Sequence, residues 1–94
     1  MNASQKLYRE LKDNENAAWK LLCQTETDAA SEAYLAARNA ASIQGIKLVR
    51  WAMAAMQAKM PAAQYALIAD LEQKTARNVA MRQRLIDLCM QFGG

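Results

Sequence analysis

Few side chains in this sequence could carry out covalent chemistry. The chain has two cysteines, Cys23 and Cys89, and no histidine. Without histidine, a Ser-His or Cys-His nucleophile pair cannot be built, and neither can the Glu-x-x-His sites of di-iron helical bundles. The two cysteines also lack the spacing of metal ligands. We therefore expect reduced, buried thiols, no catalytic residue, no cofactor and no metal.

One carboxylate, Glu15, interrupts the apolar face of the first predicted helix. It could be an acid with a raised pKa, but we favour a structural ion pair. In the last predicted helix, Asn78 and Arg82 occupy core-type positions, and a buried guanidinium needs a carboxylate or several acceptors. Helical levels place Glu15 and Arg82 at similar height, which predicts a polar core formed by Glu15, Asn78 and Arg82. The alternative is that Glu15 and Arg82 both reach solvent.

Basic residues are the second group with possible chemistry. Lys74, Arg77 and Arg84 follow one outer stripe of the last predicted helix, as a phosphate-contacting face would require. The net charge of only +3 and the nearby Asp70 favour a solvated surface instead. A small basic DNA- or RNA-binding protein that uses this helix is therefore the alternative function.

The elements that position these residues are helices. Alanine, leucine, methionine, glutamine and arginine dominate residues 28–92, where the only glycine is Gly45 and the only proline is Pro61. Apolar spacing predicts helices over about 4–24, 28–58 and 61–92. We expect one all-α domain over residues 1–94. Its predicted form is an up-down-up three-helix bundle built on a long antiparallel helical hairpin, completed by oligomerisation.

The predicted first helix is shorter than the other two, so it cannot cover them along their full length. The far end of the hairpin should then expose a methionine-rich patch, and a patch of this kind marks an association surface. Basic residues around it favour an acidic partner. The predicted partner-binding residues are Val49, Trp51, Met53, Met56, Met60 and Tyr65.

The N-terminus is polar, and the most apolar run contains Lys47, Arg50 and Lys59, which excludes a membrane span. We expect a cytoplasmic protein with no membrane and no small-molecule substrate. The predicted function is a non-enzymatic protein-protein interaction module, an adaptor, inhibitor or regulator. Its partner is another protein or a second copy in a homodimer. Such small helical chains are common among accessory proteins of phages, plasmids and bacteria.

Overall fold

The computed structural model of the chain describes residues 2–93, and these residues form four α-helices without a β-strand. The helices are α1 (Ala3–Thr25), α2 (Asp28–Lys59), α3 (Ala62–Thr75) and α4 (Val79–Gln91). The prediction of an all-α fold is confirmed. The first two helices begin and end within one residue of their predicted bounds.

Local capping sets the ends of α1. The side chain of Asn2 accepts a hydrogen bond from the Gln5 backbone N–H at 2.9 Å, and the Gln5 side chain accepts one from the Asn2 N–H at 3.0 Å. This reciprocal capping box satisfies two N–H groups that have no partner within the helix. At the other end, Glu26 adopts a left-handed conformation with φ of 50°, and its N–H binds the Leu22 carbonyl. That geometry stops the helix.

The bounds of α2 also follow from local signals. The Thr27 hydroxyl accepts a hydrogen bond from the Ala30 N–H at 3.1 Å, and Asp28 in the first turn is favourable beside the positive end of the helix. After Lys59, the chain turns at Pro61, whose carbonyl accepts hydrogen bonds from Gln64 and Tyr65. Proline suits this place because it has no N–H to leave unsatisfied.

The predicted third helix over 61–92 is wrong, because this segment forms two helices separated by a short turn. The buried Thr75 donates its hydroxyl to the Glu72 carbonyl at 2.8 Å at the end of α3. Asn78 is extended, and its side chain accepts a hydrogen bond from the Met81 N–H at 3.2 Å. Asparagine competes with helical hydrogen bonding in this way, so it starts α4 instead of continuing α3. The predicted count of three helices fails for the same reason.

The chain divides into two compact units that share α2, a first unit (Met1–Ile46) and a second unit (Lys47–Gly94). The prediction of one domain over residues 1–94 stays a prediction.

In the first unit, α1 packs antiparallel to the N-terminal part of α2. The side chain of Gln44 binds Ser4, and the rings of Trp19 and Tyr34 lie 5.1 Å apart. Because Ser4 precedes Trp19 whereas Gln44 follows Tyr34, the two helices run in opposite directions. Apart from Tyr8, the buried residues of this unit are small or carry an amide, and they are Gln5, Tyr8, Ala30, Ala41, Gln44 and Gly45.

The second unit contains the larger apolar core. Residues 47–59 of α2 contribute to it together with α3 and α4, and α3 packs against α4. The rings of Trp51 on α2 and Phe92, just after α4, lie 6.1 Å apart. The largest fully buried side chains are Leu48, Met56, Leu85 and Cys89.

Candidate interaction surface

The methionine-rich patch predicted from the sequence is not exposed. Met56 is 1% exposed and Met53 is 8% exposed, so both belong to the core of the second unit. Met60 is half-buried. The predicted exposure of these methionines is therefore wrong. The physical reason is the break after Thr75, which supplies two short helices, α3 and α4, where the prediction had one straight helix.

The other members of that predicted patch are half-buried: Val49, Trp51 and Tyr65. Trp51 packs against Phe92 of the same chain, so its ring is engaged within the second unit. An aromatic side chain held in this way serves the packing of its own unit. These residues therefore do not form the open surface that the sequence predicted.

The predicted polar core is also wrong for two of its three residues. Asn78 and Arg82 are exposed; Asn78 caps α4, and Arg82 donates a hydrogen bond to the Ala76 carbonyl at 3.1 Å. Glu15 is partly buried and forms an ion pair with Lys12 at 2.8 Å, on its own helix. The pKa of Lys12 is raised because its ammonium donates a hydrogen bond to Glu15. Each charged group thus finds an acceptor or donor within a few residues, and no long-range pair is needed.

The predicted nucleic-acid residues lie at and around the turn between α3 and α4. Lys74 forms an ion pair with Asp70 at 2.8 Å, and the hydrogen bond to that carboxylate raises the pKa of Lys74. Its positive charge is therefore offset locally. Arg77 and Arg84 are exposed.

The two cysteine thiols differ in their surroundings, and the expectation that both are buried is wrong for Cys23. Cys23 is exposed, whereas Cys89 is buried in the second unit, and burial raises its pKa to about 11. A thiol with so high a pKa is almost entirely protonated at neutral pH and is a poor nucleophile. Among residues 2–93, no cluster of three or more side chains has the composition of a metal site. No described helix is long and apolar enough to cross a membrane.

Exposed large apolar side chains of the first unit lie on both helices, with Leu7, Trp19 and Leu21 on α1, and those on α2 define a different surface. Leu35 is 49% exposed, Ile43 is 56% exposed and Ile46 is 50% exposed. Eleven residues make about three helical turns, so Leu35 and Ile46 lie on the same side of α2, with Ile43 beside Ile46. We call this surface the α2 stripe, and its members are Leu35, Asn39, Ser42, Ile43 and Ile46, all of which are exposed.

The α2 stripe is open because α1 covers another side of the helix. The buried residues Ala30, Ala41 and Gln44 lie about 150° around α2 from the stripe. Further along α2, the same line of side chains continues with Val49 and Met53, which are covered within the second unit. On this side of α2, the large apolar side chains after Lys47 are therefore buried or half-buried, whereas those before Lys47 are exposed.

Charged residues of the first unit lie beside the α2 stripe. Glu32 comes one turn and Asp28 two turns before Leu35, and Arg38 comes one turn after it. All three are exposed. The surface is therefore acidic at its N-terminal end, with a basic side chain further along.

Sequence reasoning missed the α2 stripe although its spacing was visible. The intervals from Leu35 to Asn39, Ser42 and Ile46 are those of a heptad seam. The prediction assigned the uncovered surface to the opposite end of α2. It assumed that a continuous third helix would cover one side of α2 and that helix 1 or another chain would cover the other side, whereas the third helix is broken after Thr75.

No model of a known protein family, no curated protein and no solved structure matches this chain.

Proposed function

We propose that this protein is a non-enzymatic helical module that acts by binding another protein through the α2 stripe. The observation that carries the proposal is the half-exposure of Leu35, Ile43 and Ile46 on one helix. Burial of a Leu or Ile side chain contributes about 1.5–3 kcal/mol when the side chain starts fully exposed, so about half of that remains available at each position. A row of such side chains is typical of a protein contact.

The buried thiol supports the absence of catalysis. Cys89 is the more deeply placed of the two cysteines, and its pKa of about 11 keeps it in the unreactive thiol form. The remaining thiol, Cys23, lies on the surface of α1. Thiols of this kind are typical of a reducing compartment, so we place the adaptor or regulator in the cytoplasm.

Photo-crosslinking tests the proposed function. We would place p-benzoylphenylalanine at Ile46 and, as a matched control, at the exposed Asp13 of α1. Irradiation in the native host should give a covalent protein adduct of discrete mass from position 46, identified by mass spectrometry, and none from position 13. The adduct should disappear when Leu35→Lys is added, because that change puts a charge into the contact. Equal labelling from both positions, or none from position 46, would contradict the proposal.

A second candidate function is nucleic-acid binding by the α3–α4 segment. It is favoured by three exposed arginines at and after the turn, with no acidic residue between Glu72 and Asp87. They are Arg77, Arg82 and Arg84. Two basic side chains of the segment are already engaged, which weighs against this function. Lys74 is paired with Asp70, and Arg82 donates a hydrogen bond to the Ala76 carbonyl.

A salt titration separates this candidate from protein binding. If phosphate contacts form, the logarithm of the affinity for a random-sequence duplex falls with the logarithm of salt concentration by about 0.9 for each contact. Arg77→Gln with Arg84→Gln should then lower that slope by about two. No measurable binding at 50 mM salt would dismiss the candidate.

A further inference from the structure

We infer that the turn between α3 and α4 is a hinge, at which residues 62–91 convert to one continuous helix so that α4 packs into the second unit of another copy of this chain. The result is an exchanged dimer, in which each copy supplies α4 (Val79–Gln91) to the other. The helix α4 belongs to the second unit and the α2 stripe to the first, so this inference does not depend on the proposed function.

The turn contains no residue type that excludes a helix. Residues 62–91 include neither glycine nor proline, and alanine, leucine, glutamine and arginine are frequent among them. Ala76 has a right-handed helical conformation, with φ of −56° and ψ of −26°. Asn78 is extended, with φ of −131° and ψ of 109°, and no described residue of the turn has a positive φ. Backbone rotation near Asn78 therefore breaks the helix.

The same two backbone groups are satisfied in the broken and in the continuous form. In the broken form, the Arg82 side chain donates a hydrogen bond to the Ala76 carbonyl at 3.1 Å. The Asn78 side chain accepts one from the Met81 N–H at 3.2 Å. In a continuous helix, the carbonyl would pair with the N–H four residues later, and the N–H with the carbonyl four residues earlier. Straightening thus replaces two side-chain hydrogen bonds by two backbone hydrogen bonds.

Little packing has to change at the hinge itself. Arg77 and Asn78 are exposed, and Val79 is 82% exposed. Thr75 is buried, but its hydroxyl binds the Glu72 carbonyl within α3, and a longer helix keeps that hydrogen bond. The turn can therefore straighten without removing a side chain of its own from the core.

The buried side of α4 identifies what must replace it. Leu85 is 2% exposed, Ile86 is 8% exposed and Cys89 is fully buried in the second unit. If α4 swings away, these side chains and the site that they leave are both exposed to water, which is unfavourable. A second copy that opens in the same way offers an identical site and an identical helix. The exchanged dimer then retains the contacts of α4, and only the hinge differs from the monomer.

Two substitutions at adjacent positions should shift this equilibrium in opposite directions. Asn78→Ala removes the cap and favours a continuous helix in both copies, so it should raise the dimerisation constant by about a hundredfold. Val79→Pro should prevent the exchange, because proline suits the first position of α4 but breaks a continuous helix. The extended conformation of Asn78 is the one that a following proline favours, so the monomer should keep its fold.

Light scattering during size-exclusion chromatography measures the exchange. Each protein is incubated at high concentration near its midpoint of thermal unfolding, where α4 can detach, and is then cooled. Asn78→Ala should contain a species of twice the 10.5 kDa mass, whereas Val79→Pro should remain monomeric with unchanged helicity by circular dichroism. Absence of a dimer for Asn78→Ala would overturn the inference, and so would equal dimer fractions for the two variants.

A distance measurement tests the straight helix directly and does not require Val79→Pro to fold. Spin labels are placed at the exposed positions of Leu67→Cys and Gln91→Cys in the background Cys23→Ser, Asn78→Ala, and the labelled chain is diluted with unlabelled chain. A continuous helix separates the two positions in one chain by about 36 Å. The monomer should give a shorter distance, because α3 packs against α4. The same distance in monomer and dimer would overturn the exchange.

The exchange and the proposed function fail in different experiments. Ile46→Lys changes the α2 stripe and should leave the fraction of exchanged dimer unchanged. A dimer that Ile46→Lys removes would overturn the exchange and assign the contact to the first unit. The photo-crosslinker at position 46 tests the proposed function whichever result the hinge variants give.

Discussion

The side-chain amide of Gln44 donates two hydrogen bonds to Ser4, one to its carbonyl oxygen at 3.1 Å and one to its hydroxyl oxygen at 3.0 Å. These residues are far apart in sequence, and Gln44 is only 7% exposed. The contact therefore attaches the first turn of α1 to the middle of α2. It is polar because the surrounding small residues leave room for an amide and because a buried amide must find partners.

Replacing Gln44 should measurably destabilise the first unit. Gln44→Met keeps most of the side-chain volume but removes both donors, so we expect a loss of about 1–2 kcal/mol in the free energy of unfolding. Ser4→Ala is the matched control, because it removes only the hydroxyl acceptor and should cost about half as much. Urea unfolding followed by circular dichroism measures both. An unchanged or higher stability for Gln44→Met would contradict the role of this contact.

The turn between α3 and α4 predicts whether replacing Asn78 by alanine raises or lowers the stability of the protein. Asn78→Ala removes the side chain that caps the Met81 N–H, so it should lower stability by about 1 kcal/mol. Asn78→Ser retains a capping oxygen and should cost only a few tenths of that amount. If residues 61–92 formed one continuous helix, alanine would be the better helix former, and Asn78→Ala would stabilise the protein. Thermal unfolding distinguishes the two signs.

The burial of the methionines can be tested by comparing a core site with a surface site. Met56→Ala should cost about 2–5 kcal/mol, because it leaves a cavity in the core of the second unit. Leu67→Ala changes a side chain that is 73% exposed and should change stability by less than about 0.5 kcal/mol. Chemical denaturation gives both values. Similar small effects at the two sites would indicate that Met56 is open to solvent.

The Cys89 thiol makes stability depend on pH in the alkaline range. Its pKa is about 11 in the folded protein, against an ordinary value of 9.0 for a cysteine thiol, so folding favours the protonated thiol. The contribution of Cys89 is therefore fully present below about pH 9 and is lost as the pH rises towards 11. The stability difference between the wild type and Cys89→Ala should shrink over this interval. A difference that stays constant from pH 8 to pH 11 would contradict the shift.

Thiol labelling gives an independent measurement for the same residue. At pH 8, a disulfide reagent should react rapidly with the exposed Cys23 and with Cys89 only after unfolding. The variant Cys23→Ser should therefore show almost no fast labelling in the folded state. Rapid labelling of that variant would indicate that Cys89 is accessible.

Much of the helical structure was predictable because it depends on residues a few positions apart. Asn2 with Gln5, and Thr27 with Ala30, form caps whose partners lie within three residues. Such hydrogen bonds are encoded locally, so the bounds of α1 and α2 followed from spacing and residue type. The break at Asn78 was less visible, because asparagine at a seam position fits either a polar core residue or a cap.

What covers each apolar side of α2 could not be predicted in the same way. The amino-acid sequence by itself determined that the chain is helical and that α2 carries apolar residues over a wide arc. Only the tertiary structure decided that Met53 and Met56 are buried while Leu35 and Ile46 are half-exposed. Burial depends on where the chain turns back, and a single turn after Thr75 changes which side of a helix receives a neighbour. Periodicity shows which side chains share a side of a helix, but their cover comes from segments distant in sequence.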